Sequence, residues 1–142
     1  MSARDHLKIR VGAGAAQRAG EFLALFAARH GLANDDRTRA LIVVEELLTN
    51  LVKYGYPDRE PGAAELALTL DQDCLRIELV DDGCPFDPFA APEPEFNRPL
   101  EALPIGGLGL RIVRLLTEGA HYSRVDDRNV TRMTLRRSPP AP

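Results

Sequence analysis

A long apolar helix that carries polar residues is the feature that most limits how this chain can fold. Between Leu41 and Tyr56, apolar residues recur every three or four positions and cover enough of the helix for most of its surface to be buried. Glu46, Asn50 and Lys53 interrupt the apolar surface, and their spacing of four and then three residues places them on one face. A helix of this kind must border either a polar cavity or the rim of the core.

The segments on either side of this helix predict an α+β fold. Alternation of apolar and polar residues predicts short strands at 7–11, 64–70, 75–79, 121–125 and 130–135. Helical periodicity predicts one helix that ends near Gly31 and another over residues 108–118. The order of these elements predicts a two-layer α/β sandwich, in which a mixed, mainly antiparallel sheet carries helices on one face.

The length of 142 residues is enough for one domain with its own core. We predict a single domain over residues 1–137 and a flexible, proline-rich tail over 138–142. Asn34, Asp35 or Asp36 can cap the central helix. Six of the chain's 11 prolines lie between 85 and 107, where both periodicities disappear, and a segment of this length is typical of a functional lid or of disorder.

Composition and charge exclude several classes of protein. The net charge of −3 and the pI near 5.6 argue against direct nucleic-acid binding, which calls for a basic patch, and favour a protein partner. Cys74 and Cys84 have no Cys or His at metal-ligand spacing, so we expect reduced thiols and no zinc. No signal peptide and no run of about 20 apolar residues is present. We therefore expect a cytoplasmic protein that does not enter a membrane.

Three motifs can carry chemistry, and each has a plainer explanation. Asn50 can ligate Mg²⁺ through its carbonyl oxygen, and Glu46 one turn earlier can accept a proton; for this helix alone, a polar face at the rim of the core is the favoured explanation. Asp81 ends an apolar strand and can accept a hydrogen bond from an amino group such as that of adenine, while Gly83 allows close approach of a ligand. By itself this second motif is more often a turn.

The third motif is a cluster of glycines that opens the last predicted helix, at positions 106, 107 and 109. Exposed amides at the N-terminus of a helix attract phosphate through their hydrogen atoms and the helix dipole. A flexible hinge explains the same glycines equally well when they are considered alone.

In this order and spacing, the three motifs resemble the N-box, G1-box and G2-box of the Bergerat-fold (GHKL) ATPases. The motif from Glu46 to Asn50, the proline-rich continuation after Asp81 and the glycine cluster look, more narrowly, like those of the bacterial anti-sigma factor serine-protein kinases. The resemblance covers nearly the whole chain. Tyr54 stands where these kinases commonly have histidine, and Asp127 occupies a turn where glycine is expected.

The resemblance implies a role for each motif residue. Asn50 would hold Mg²⁺ that bridges the phosphates of ATP, Glu46 would be the general base, and Lys53 would contact a phosphate. Asp81 would bind the adenine amino group, with Gly83 leaving room for the base. The phosphates would be wrapped by the start of the last helix, at Gly107, Leu108, Gly109 and Leu110.

Other expected roles concern the lid and the last strand. The segment 86–105 would form the ATP lid, with Arg98 as a further phosphate contact. Either Thr131 or Thr134 would support adenine from the last strand.

The function that the resemblance implies is that of an Mg²⁺- and ATP-dependent serine/threonine protein kinase. It would phosphorylate a STAS-domain anti-anti-sigma factor and sequester a sigma factor, and members of this family often form homodimers. Two alternatives stay open: a non-catalytic binding module controlled by nucleotide, and slow ATP hydrolysis coupled to lid movement.

Overall fold

A computed structural model describes residues 2–90 and 107–139 of the chain. Five strands and three helices form in the predicted order: β1 (Ala3–Arg10), α1 (Ala15–His30), α2 (Asn34–Tyr54), β2 (Ala63–Leu70), β3 (Cys74–Asp81), α3 (Gly107–Leu116), β4 (Glu118–Val125) and β5 (Arg128–Arg136). The predicted α+β architecture is confirmed. Most of the predicted lid lies outside the described residues, as does Arg98.

The five strands form one sheet in the order β1-β2-β3-β5-β4, and all four pairings are antiparallel. Among the described residues the sheet therefore has no adjacent parallel pair, although a mixed sheet was predicted. The reason is the position of β5. Strands β3 and β4 run in the same direction on either side of α3 in the chain, but β5 lies between them and pairs with both.

The helices pack on one face of this sheet, as predicted. Alternate residues of the central strands are buried on that face, among them Leu66 and Leu68 of β2 and Ile77 of β3. Phe26 of α1 and Val44 of α2 belong to the same buried cluster. Each fully buried side chain of this size contributes about 1.5–3 kcal/mol relative to an exposed one, so the face that carries the apolar residues is strongly specified.

The start of α2 differs from the prediction, because it has no side-chain cap from Asn34, Asp35 or Asp36. Asp36 is turned inward and accepts hydrogen bonds from the backbone N (3.0 Å) and Oγ (2.6 Å) of Ser138. It also pairs with Arg39. Burial opposes ionisation, but these partners together hold the pKa of Asp36 below its usual range. Ser138, the first residue of the predicted tail over 138–142, is thus hydrogen-bonded to the domain.

The turn between β4 and β5 uses two residues with left-handed backbone conformations. The φ angle is 51° at Asp126 and 61° at Asp127. Glycine adopts this conformation most easily, and aspartate tolerates it better than most other residues. The turn therefore has the geometry for which glycine was expected at position 127.

Candidate functional site

A pocket of about 400 Å³, including its open mouth, lies between the C-terminal half of α2 and the adjoining ends of β3 and β5. Its apolar wall comes mainly from Leu47 and Leu51 of α2 and Leu79 of β3. A few polar side chains converge on it, those of Asn50, Asp81, Asn129 and Thr131. A mostly apolar cavity with a small number of placed polar groups is typical of a small-molecule site.

Asp81 lies at the end of β3, and its carboxylate is buried in the pocket wall. One oxygen, Oδ1, accepts hydrogen bonds from the backbone N of Gly83 and from Nδ2 of Asn129, each at 2.9 Å. Burial raises the pKa of Asp81, and these two hydrogen bonds act against that rise. A Cβ at Gly83 would come within 3.0 Å of Asp81 Oδ1 and of Leu51, so this position suits glycine.

Asp82, the next residue, points elsewhere and has a structural role. Its Oδ1 accepts hydrogen bonds from the Tyr56 hydroxyl (2.5 Å) and from the backbone N of Ala63 (3.2 Å). Despite an opposing effect of burial, these bonds and Arg59 lower the pKa of Asp82. Of the two neighbouring acids, only Asp81 therefore serves the pocket, as predicted from the sequence.

Asn50 is buried in α2, and its amide is oriented by Glu46. The Nδ2 atom donates to the backbone O of Glu46 at 2.9 Å and to its Oε1 at 3.3 Å. Because the nitrogen is bonded to Glu46, Oδ1 is the atom that Asn50 can offer to a cation in the pocket. The helical spacing that predicted these two residues on one face is reproduced in the structure.

The first turn of α3 packs directly over this pair. A Cβ built on Gly109 would overlap the carboxylate of Glu46, so any side chain at this position would have to displace that carboxylate or α3. The helix begins at Gly107, and Leu110 is buried. Gly109 thus lies against the carboxylate of Glu46, and two of the three sequence motifs meet here.

Lys53 is not part of this group. Its side chain is exposed and lines a separate surface depression with Thr49 and the Gly12–Gly14 turn. Helical spacing places Lys53 above Asn50, but a long side chain in the last turn of a helix can extend away from its neighbours. Tyr54, in contrast, lines the mouth of the Asp81 pocket.

The two threonines of the last strand face opposite sides of the sheet. Thr131 pairs with Leu79, is buried and lines the pocket. Thr134 lines a groove on the face of the sheet away from the helices. Only Thr131 is therefore placed to support a base in the pocket.

A family model described as a histidine kinase-like ATPase domain matches residues 12–135 of the chain. This match covers most of the sequence and includes all three motifs. The chain belongs to the histidine kinase-like ATPase family. Such a domain binds ATP, and the pocket described above is lined by Asn50 of the first motif and by Asp81 of the second.

Curated relatives in this family are bacterial protein kinases. The serine/threonine-protein kinase BtrW of Bordetella bronchiseptica is 28% identical over 138 residues, 97% of each chain. The serine-protein kinase RsbW of Bacillus cereus is 33% identical over 95 residues, which is 63% of this chain and 58% of that protein.

A solved structure of the RsbU and RsbW domains of a Mycobacterium tuberculosis protein has the same fold. It matches with a TM-score of 0.69 at 18% identity, over 98% of this chain and 34% of that one. None of the helices in the described ranges is long and apolar enough to cross a membrane.

Asn129 is a polar residue of this pocket that the sequence analysis missed. It lies at the start of β5 directly opposite Asp81, and it is buried. The strand pattern contained a signal, because Asn129 is in phase with the buried residues Thr131, Met133 and Leu135. A polar residue on the apolar side of a strand calls for a buried partner, but the partner is visible only once β5 is paired with β3.

Proposed function

We propose that this protein is an ATP- and Mg²⁺-dependent serine/threonine protein kinase of the anti-sigma type. The observation that carries the proposal is the contact of Glu46 with both Asn50 and the first turn of α3. Glu46, the candidate base, thus contacts both the candidate metal ligand and the candidate phosphate-binding turn. The kinase names of the relatives BtrW and RsbW agree with it.

In this proposal the adenine of ATP occupies the pocket beside Asp81. The carboxylate accepts a hydrogen bond from the amino group at position 6 of the base, and Leu47 and Leu51 contact its faces. Thr131 supports the base from β5, and the lack of a side chain at Gly83 leaves room for it.

The side-chain oxygen of Asn50 also suits Mg²⁺ that binds together with the nucleotide. Among the described residues, no group of three or more His, Cys, Asp or Glu side chains could hold a metal ion. Mg²⁺ commonly takes one or two protein oxygens and completes its shell with water and phosphate. Asn50 Oδ1 supplies such an oxygen, and bound Mg²⁺ would neutralise charge on the phosphates during transfer.

Protein groups at the start of α3 would hold the rest of the phosphate chain. The backbone amides of Gly107, Leu108, Gly109 and Leu110 would donate to phosphate oxygens, aided by the helix dipole. Lys53, on a long exposed side chain, would approach from the rim, and the segment 86–105 with Arg98 would close over the nucleotide as a lid.

The chemical step assigned to this chain is a proton transfer at Glu46. The carboxylate would accept the proton of a serine or threonine hydroxyl as that oxygen attacks the γ-phosphate. The hydrogen bond from Asn50 Nδ2 holds the carboxylate next to the phosphate-binding turn, so the base and the metal ligand are positioned together.

The proposed acceptor of the phosphate is a STAS-domain anti-anti-sigma factor, and the second proposed partner is a sigma factor. These partners follow from the likeness to RsbW and BtrW and from the acidic net charge of −3, which disfavours nucleic acid. We also propose a cytoplasmic location and a homodimer, and sedimentation velocity of the full chain would test the latter.

Incubation with γ-labelled ATP, Mg²⁺ and a STAS-domain protein tests the central proposal. Label should move to the partner, and Glu46→Gln should slow the transfer about 10²- to 10⁴-fold, the usual effect of losing a general base, while ATP still binds. Glu45→Gln is the matched control, because Glu45 is the neighbouring acid on the exposed side of α2. Nucleotide-dependent binding without transfer would support the binding module, and phosphate release without transfer would support a hydrolase.

A further inference from the structure

Asn129 connects the carboxylate of Asp81 to two other parts of the site. Its Nδ2 donates to Asp81 Oδ1 at 2.9 Å and to the backbone O of Cys84 at 2.8 Å. Its Oδ1 accepts from the Tyr122 hydroxyl at 2.5 Å and from the Arg124 guanidinium at 3.1 Å. One buried amide thus joins the end of β3, the chain that follows it, and the edge strand β4.

These partners determine which way the amide of Asn129 faces. Both atoms that approach Nδ2 are acceptors, and three groups donate to Oδ1: the Tyr122 hydroxyl, the Arg124 guanidinium and the backbone N of Phe86. Exchanging the nitrogen and the oxygen would bring like groups together at every contact except that of the Tyr122 hydroxyl, which can also accept a hydrogen bond. The donor side of Asn129 is therefore held toward Asp81.

The carboxylate of Asp81 is fixed in turn. Asn129 and the backbone N of Gly83 both donate to Oδ1. Among the described residues, no buried side-chain oxygen lacks a hydrogen-bond partner, and the structure shows hydrogen bonds to Asp81 only at Oδ1. Oδ2 is therefore the oxygen of Asp81 that is left to accept a hydrogen bond from a ligand.

We propose that Asn129 is a positioning residue that determines base specificity, because it holds Asp81 with a pure acceptor facing position 6 of the purine. This inference rests on the proposed ATP site. A 6-amino group donates a hydrogen bond to that oxygen, whereas a 6-keto group brings a second acceptor against it. Without Asn129, only the backbone N of Gly83 would restrain the carboxylate, which could then turn away from a 6-keto oxygen. The discrimination against 6-keto purines would therefore weaken.

The test compares the binding of ATP and of inosine triphosphate, which has the 6-keto group, to the full chain in Mg²⁺ by titration calorimetry. Asn129→Leu removes the donor at similar volume, and Asn129→Ala removes the whole amide without adding a polar group. Both substitutions should lower the ratio of the dissociation constants for inosine triphosphate and ATP about tenfold, the usual effect of one hydrogen bond to a charged group.

Two control variants separate specificity from a general structural effect. Tyr122→Phe removes one donor to Asn129 Oδ1 but leaves both contacts of Nδ2. Thr134→Val changes the opposite face of β5, the strand that carries Asn129. Both should keep the wild-type ratio. Equal weakening of the two nucleotides by the Asn129 substitutions would show a purely structural role and overturn the inference.

The outcomes for the role of Asn129 and for the nucleotide site can be distinguished. If the wild-type chain did not bind ATP, the proposed site itself would be wrong. If it bound ATP and transferred phosphate, but the Asn129 variants kept the wild-type ratio, only the role of Asn129 would be wrong. Should the leucine variant fail to fold, the alanine variant decides, because its side chain fits within the space of the one it replaces.

Discussion

Asp81→Asn should remove most of the affinity for ATP while leaving the fold intact. The two donors at Oδ1 keep an oxygen in that place, so the new amide nitrogen must occupy the position of Oδ2. There it presents hydrogen atoms to the 6-amino group of adenine, which can only donate in that direction. Losing a hydrogen bond to a charged group costs about 1.5–3 kcal/mol, which corresponds to a roughly 10- to 150-fold weaker dissociation constant.

The Asp81→Asn variant should be as stable toward unfolding as the wild-type protein, or more stable. Burial raises the pKa of Asp81, so the ionised group destabilises the fold and a neutral amide relieves that cost. Calorimetric titration with Mg²⁺ and ATP, together with thermal unfolding, measures both quantities. Unchanged affinity for ATP in a folded Asp81→Asn variant would refute the reasoning.

The neighbouring acid provides a matched control with the reverse pattern. Asp82→Asn weakens the contacts to Tyr56 and Ala63 outside the pocket. Because these contacts lower the pKa of Asp82, its charge stabilises the fold at neutral pH. This variant should unfold more easily and keep its affinity for ATP.

Three further predictions follow from the contacts around α2. Asn50→Ala should abolish the Mg²⁺-dependent part of ATP affinity, and titrations with and without EDTA would measure the difference; an undiminished Mg²⁺ effect would contradict the assigned ligand. Gly109→Ala should push α3 away from Glu46 and lower both thermal stability and phosphoryl transfer, whereas an alanine that leaves both unchanged would show that the helices do not pack so closely. The lowered pKa of Asp36 means that its ionised form stabilises the fold above the ordinary value of 3.8 and that this contribution is lost as the pH falls through the folded-state pKa. Ser138→Ala should reduce this acid sensitivity in urea unfolding measured from neutral to acidic pH.

Local patterns were sufficient to predict the elements, whereas the roles of the site residues were expected from the resemblance to a known family. The period-2 and period-3.6 repeats correspond to the strands and helices because each element buries one face against the same core. The choice of Asp81 over Asp82 also follows from local sequence, since Asp81 is in phase with the buried residues Ile77 and Leu79. The same phase argument, applied to β5, separates Thr131 from Thr134.

Features that depend on contacts distant in sequence could not be predicted in the same way. The antiparallel sheet results from the position of β5 between β3 and β4, which no local pattern encodes. The role of Asn129 depends on the register that sets it opposite Asp81. Helical phase gave the correct direction for Glu46 and Asn50, whose side chains are short, but it did not determine where the longer side chain of Lys53 lies.

The position of β5 also has a consequence for how the protein is made. This strand is synthesised after the other four, yet it occupies a place inside the sheet and brings Asn129 and Thr131 to the pocket. Until it leaves the ribosome, β3 lacks one of its neighbours and β4 has no strand to pair with. Nucleotide therefore cannot assist the early stages of folding, and the unpaired edge of β3 must be protected from other chains during that interval.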